Sequence, residues 1–408
     1  MTKNADVNIL DIFECQKLVK ICAPMVRYSK LQFRNLVKKY GTDMSFTPMI
    51  LADSFCKSEL ARNNEFTTNK FDLPLVTQFA ANTVHDFVGA AYMVSPYCNG
   101  VDLNCGCPQR WAKQLGLGCS MLNKPELIFD IVRQCRNQIS KPFTVSVKTR
   151  ISKNIQKTVE VCKKLEMAGV SFLTIHARTS DQLTGDINTE QLRLICENVR
   201  IPVIANGGIK SLSDCYDLQE NVKCKGVMVA NGILTNPTIF NGTEITSMEC
   251  VQQWVNICYN STLTPESYEK LLSTGDSLLE FKEKPINLTF QCFHHHLVFM
   301  LEKILTKQQK RIFNNLKKFK DVLDFLQTNF NISPKLFGKN NFNLHKRLPT
   351  DYEGRDALYN RLKPETEIEN DAFLYNYETD GKYFSSKLQK VEQQENNCDW
   401  TNIFIEND

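Results

Sequence analysis

No pair of cysteines in this chain stands in a C-x-x-C arrangement, although there are 16 of them. The tightest spacing is Cys105-x-Cys107. Zinc and iron–sulfur sites usually take paired ligands at short spacing, so no metal is expected. His294-His295-His296 does not change this, because adjacent histidines on a helix point in different directions. No run of about 18 or more apolar residues occurs, so no membrane span is expected. The N-terminus, MTKNADVNILDIFECQ, has no long apolar run and suggests no secretory signal. An intracellular, reducing location (cytoplasm or nucleus) follows as an expectation, with most cysteines as buried free thiols. No GxGxxG follows the first apolar run, which counts against a Rossmann domain. Neither sign of charge dominates: the net charge is +4 and the pI about 8.2. That is too mild to imply nucleic acid, so local clustering of basic residues must decide.

What the sequence does have is a regular beat over its first 240 residues. Short β-branched, apolar runs occur at 19–25, 44–50, 73–80, 100–107, 143–150, 172–178, 202–208 and 226–232. Most are separated by amphipathic stretches such as 30–40, 125–139, 155–168 and 211–221. Alternation of this kind means βαβ units and a parallel sheet. Eight units over roughly 230 residues predict a closed (β/α)8 TIM barrel, with an open doubly wound sheet as the competing reading. From about 250 to 330 the apolar spacing becomes helical: Trp254, Val255, Cys258 and Tyr259 suggest one helix, Leu297, Met300, Leu301, Ile304 and Leu305 another, and 321–330 a third. The stretch 331–408 is rich in Asn, Glu, Lys and Asp. The predicted organisation is a catalytic α/β barrel over 1–245, a small all-helical domain over 246–330, and a polar, partly disordered tail over 331–408 with a few short docked segments.

Barrels of this type carry their chemistry where strands end at the C-terminal face. Met25, Gln78, Cys107, Lys148, His176 and Asn206 all close apolar runs. A thiol at Cys107, in the Gly/Pro loop N104-C-G-C-P108, is partly exposed and able to act as an acid or a nucleophile; an inert loop cysteine is the alternative. Lys148 closes the fifth run with Arg150 beyond it, and His176 and Arg178, spaced by two, share a strand face; together with Lys148 they predict a cationic wall. Asn206-Gly207-Gly208 and Ala230-Asn231-Gly232 give two small-residue turns after the last two strands, where barrels commonly bind phosphate. Residues 303–320 hold seven basic side chains and no acidic one. Lys303, Lys307, Lys310 and Arg311 fall on one face of a continuous helix, either a solvated face or a phosphate-backbone contact.

These residues resemble the tRNA-dihydrouridine synthases. Ala23-Pro24-Met25, Gln78, NCGCPQ at 104–109, Lys148 with Arg150, His176-x-Arg178-Thr179 and the NGG at 206–208 carry the resemblance. "ICAPMVRYSKLQFR", "QFAAN", "NCGCPQRWA" and "FHHHLVFMLEKI" are similar to the eukaryotic subfamily acting on tRNA positions 20a and 20b. The resemblance implies an NAD(P)H-dependent oxidoreductase that reduces uridine to 5,6-dihydrouridine in the tRNA D-loop. FMN would be the bound cofactor and NADPH or NADH the reductant. Cys107 would donate the proton. Pro24 and Met25 would pass along the flavin ring and Gln78 would bond its pyrimidine edge. Lys148 and His176 would contact flavin oxygens, and the two small-residue turns would hold the phosphate. Asn104, Arg150 and Arg178 would lie near a flipped uracil. The helical domain, with Lys303, Lys307, Lys310 and Arg311, would grip tRNA by shape and phosphates. A monomer is expected. Two positions depart from the family pattern: Gly208 stands where an Asp is usual, and Asn231 where an Arg is usual. They leave open a flavin-less tRNA-binding protein, beside a small-molecule FMN ene-reductase.

Overall fold

The parallel strands are short runs buried on both faces, as in a sheet covered on both sides. A computed structural model describes residues 7–274, 288–352, 354, 355 and 359. Its strands are β1 (Val19–Cys22), β2 (Met44–Phe46), β3 (Ile50–Leu51), β4 (Leu75–Ala80), β5 (Gly100–Cys105), β6 (Thr144–Arg150), β7 (Phe172–His176), β8 (Val203–Asn206) and β9 (Gly226–Val229). Every pairing is parallel, and β1 pairs with both β2 and β9. β2 pairs with β4, and β4 to β9 pair in sequence order. β3 pairs with β4 alone and stands outside the ring, so the remaining eight strands close a barrel. The predicted TIM barrel is borne out, each predicted run containing one ring strand.

The helices begin where local chemistry satisfies their first N–H groups. Asn154 caps Ile155–Met167, Pro125 occupies the first turn of Pro125–Gln138, and Ser211 with Asp214 forms a capping box for Leu212–Val222. No described helix is long and apolar enough to cross a membrane.

The C-terminal helices share one core with the barrel. Met248–Asn260 lies beside Leu31–Lys38, with Trp254 edge-on to Phe33 and His296 stacked on Phe33 at 4.4 Å. One expectation needs correction here. Phe290–Leu301 does not run on through Lys303 and Ile304, because Thr306 and Gln309 form a capping box that starts a separate helix, Lys307–Phe313. Lys303 therefore sits in the intervening turn, while Lys307, Lys310 and Arg311 share a face of the second helix. Lys310 is also tied to Glu302 at 2.6 Å.

The chain goes on packing past residue 331. Lys339–His345 is helical, and Phe342 stacks on Tyr268 at 3.9 Å. Leu348 N donates to the Thr68 carbonyl at 2.9 Å. Tyr359 stacks on His85 and donates to Asp86 at 2.8 Å. Gly89, inside the helix Val84–Val94, makes room for it: a Cβ there would lie 2.6 Å from the Tyr359 ring. The rest of the expected tail lies outside the described residues.

Candidate active site

Strand register brings the polar residues of five adjacent strands to one rim. Gln78 pairs with Asp102, Asn104 with Lys148, Arg150 with His176, and His176 with Asn206. The spacing of two between Asp102 and Asn104, and between Lys148 and Arg150, puts each pair on one face of its strand. The carboxylate of Asp102 was not among the sequence candidates. It is fully buried and accepts from Ser146 Oγ at 2.6 Å and Gln78 Nε2 at 2.8 Å. Burial raises its pKa to about 6, outweighing those two donors and Lys148.

Cys107 is half-buried in the loop after β5. Its backbone N–H and that of Gly106 both donate to Asn104 Oδ1, at 3.0 and 3.2 Å. Burial pushes the thiol above its usual value, and Arg150 and Lys148 pull the other way without prevailing. The thiol therefore carries its proton at neutral pH. Cys105 is buried in the barrel packing, as its place two residues earlier suggests.

Arg150 and Arg178 are held rigidly. Arg150 Nε donates to the Gly106 carbonyl at 3.0 Å, and Nη1 donates to the carbonyls of Thr179 and Gln182. Arg178 donates to the Gly185 carbonyl through Nε and Nη2. Its Nη1 lies 3.4 Å from His176 Nε2. The expected cationic wall needs one correction: His176 is neutral. Burial, with Lys148, Arg150 and Arg178 nearby, drives its pKa down to about 2. The wall consists of Lys148, Arg150 and Arg178, with the imidazole as an uncharged neighbour.

These residues fit a flavin. Among the described residues the Lys148 side chain makes no hydrogen bond or salt bridge, and burial and Arg150 lower its pKa to about 8. A half-buried ammonium without a partner wants an anionic or electron-rich group. Beyond β8, Gly207 and Gly208 both have positive φ, +114° and +72°. A Cβ on Gly207 would lie 3.0 Å from the His176 ring and 2.9 Å from Ile187, so this turn is a cradle that a side chain would fill. Asn206 Nδ2 donates to the Met228 carbonyl at 2.8 Å and ties this turn to β9. Ala230 then precedes the short helix Asn231–Thr235, whose Gly232 leaves no room for a Cβ against the Ile209 carbonyl. Pro24 and Met25 follow β1, where Met25 N donates to Ser29 Oγ at 3.0 Å. Among the described residues no group of three or more His, Cys, Asp or Glu could hold a metal ion.

Known proteins match this arrangement over most of its length. The dihydrouridine synthase (Dus) profile matches residues 21–331. A Mus musculus protein named tRNA-dihydrouridine(20a/20b) synthase (NAD(P)+)-like is 44% identical over 322 residues, covering 79% of this chain and 92% of that protein. Its Homo sapiens namesake is also 44% identical, covering 79% and 94%. The Schizosaccharomyces pombe tRNA-dihydrouridine(20a/20b) synthase is 35% identical, covering 79% and 91%. The chain, with its N104-C-G-C-P108 loop and its Lys148–Arg150 rim, belongs to the dihydrouridine synthase family.

Proposed function

We propose that this protein is a tRNA-dihydrouridine synthase that reduces uridines 20a and 20b in the tRNA D-loop, with FMN as cofactor and NADPH or NADH as reductant. The observation that carries the reading is the pairing of a protonated thiol at Cys107 with the Lys148 ammonium, which has no hydrogen-bond or ion-pair partner among the described residues. Bound FMN would supply the hydride to C6 of the uracil. Cys107 supplies the proton at C5, acting as general acid. Pro24, Met25 and Gln78 line the ring, and neutral His176 offers a nitrogen without adding charge. The backbone N–H groups of Gly207, Gly208, Asn231 and Gly232 bind phosphate in place of the arginine charge that Asn231 lacks. Arg150 and Arg178 lie near the uracil with Asn104, whose own oxygen is committed to the Cys107 loop.

The direct test is the visible absorbance of the purified protein. Flavin bands that bleach anaerobically with NADPH and return on adding uridine-containing tRNA support the reading. A colourless protein that also fails to take up FMN favours a flavin-less tRNA-binding protein, with Gly208 and Asn231 as the cause.

Two expected results accompany this reading. Free Lys148 loses its proton as pH rises through about 8, whereas a bound anion holds that proton on. FMN affinity should therefore be highest below pH 8 and fall above it, by at most about tenfold per pH unit. Titrating the apoprotein with FMN across this range checks it, and Lys148→Gln should flatten the profile. Replacing Lys303, Lys307, Lys310 and Arg311 with Gln should weaken tRNA binding and reduce its salt dependence, by about 0.7–0.9 in the log–log slope per lost phosphate contact. Lys310, already paired with Glu302, should contribute least. An unchanged slope means that this face points away from the RNA.

A further inference from the structure

The rim residues are joined by one line of hydrogen bonds. Ser146 Oγ donates to Asp102 Oδ1 at 2.6 Å, and Gln78 Nε2 donates to Asp102 Oδ2 at 2.8 Å. Asn104 Nδ2 donates to Gln78 Oε1 at 2.9 Å. Asn104 Oδ1 then accepts from the N–H of Gly106 and of Cys107. The polarity of this line is fixed at both ends. A carboxylate only accepts, so Asp102 turns the amino end of Gln78 toward itself and the carbonyl end toward Asn104. Backbone N–H groups only donate, so the oxygen of Asn104 must face the loop. Gln78, Asp102 and Ser146 are 1% exposed or less, and Asn104 is 8% exposed, so water offers little replacement for any link.

We propose that Asp102 is a positioning residue: through Gln78 and Asn104 its carboxylate fixes the loop that presents Cys107. Three strands, β4, β5 and β6, thus hold one loop in register with the rim. The proposal rests on the reading of Gln78, Asn104 and Cys107 as flavin, uracil and proton-donor positions. It assigns Asp102 no contact with substrate. Removing its acceptor frees the Gln78 amide to rotate, and that freedom passes to Asn104 and to the Cys107 N–H.

The test is the rate at which iodoacetamide alkylates Cys107 in the purified full-length protein, read by peptide mass mapping. Asp102→Ala should raise this rate about fivefold or more, as expected when an anchored loop opens more often. It should also lower kcat for tRNA more than KM. Asp102→Asn should stay within about twofold of the natural alkylation rate, because its Oδ1 accepts from Gln78 while its Nδ2 donates to Ser146 Oγ. Gln78→Met keeps the side-chain length and cuts the relay in its middle. It should match Asp102→Ala, and it stands in for that variant if Asp102→Ala does not fold. An unchanged rate in Gln78→Met overturns the relay. So does an Asp102→Asn rate equal to that of Asp102→Ala, which assigns the effect to the carboxylate's charge. Alkylation needs neither bound flavin nor RNA, so loss of the relay and loss of the proposed activity are read separately.

Discussion

Cys107→Ala should keep FMN bound and still lose about 10²–10⁴ in the rate of tRNA reduction, the usual contribution of a positioned general acid. Two features of the site set this size. The thiol is pushed up by burial, so its proton is present throughout the neutral range rather than already lost. The loop is also anchored at the Cys107 N–H itself, so the donor is held in place instead of being drawn from solvent. Alanine removes the proton donor and leaves the Asn104 anchor, the Lys148 rim and the glycine turns untouched. The bleaching of flavin by NADPH should therefore survive, and only its return on adding tRNA should slow. Stopped-flow absorbance separates these two half-reactions. An alanine variant with the full rate of tRNA-dependent flavin return removes Cys107 from the chemistry. A variant that fails to bleach with NADPH instead places the thiol at the flavin rather than at the uracil.

The barrel was legible because its signal is short-range. Each parallel strand is a short, β-branched run, so it stands out between amphipathic helices without knowledge of its partners. The NCGCPQRWA segment and the Lys148–Arg150 pair were equally local, and the family match bears out the resemblance read from them. What escaped depends on contacts distant in sequence. Asp102 is bound by Gln78, 24 residues before it, and by Ser146, 44 residues after it. Its spacing of two from Asn104 was the available sign, since it puts a carboxylate on the inward face. The neutrality of His176 arises first from burial and then from cations on β6 and on its own loop, none of which a single spacing of two can weigh. The helix break before Lys307 was readable in principle, since T-x-x-Q at 306–309 is a capping signature.

A second large effect should come from a residue far from the chemistry. Asp72→Ala should cost about 3–5 kcal/mol of stability, the usual loss when one partner of a buried ion pair is removed. Arg34 is 2% exposed and Asp72 is 1% exposed. Arg34 Nε and Nη2 both bond the carboxylate, at 2.9 and 2.7 Å, and Thr68 Oγ1 adds a third donor at 3.0 Å. Without Asp72 the guanidinium is left charged, desolvated and uncompensated. The pair also reaches the site. Arg34 Nη1 donates to the Ser29 carbonyl at 2.6 Å, and Ser29 Oγ accepts from Met25 N at 3.0 Å, so the turn carrying Pro24 and Met25 rests on this arginine. Arg34→Met should accordingly weaken FMN binding beyond what its stability loss explains. In Asp72→Ala the Arg34–Ser29 bond can remain, so FMN affinity should fall less at a comparable stability cost. Urea unfolding followed by circular dichroism gives the first quantity and FMN titration of the folded variants gives the second. A loss below about 1 kcal/mol in Asp72→Ala means that the remaining donors find other acceptors. Equal FMN affinity in the two variants disconnects the buried pair from the flavin turn.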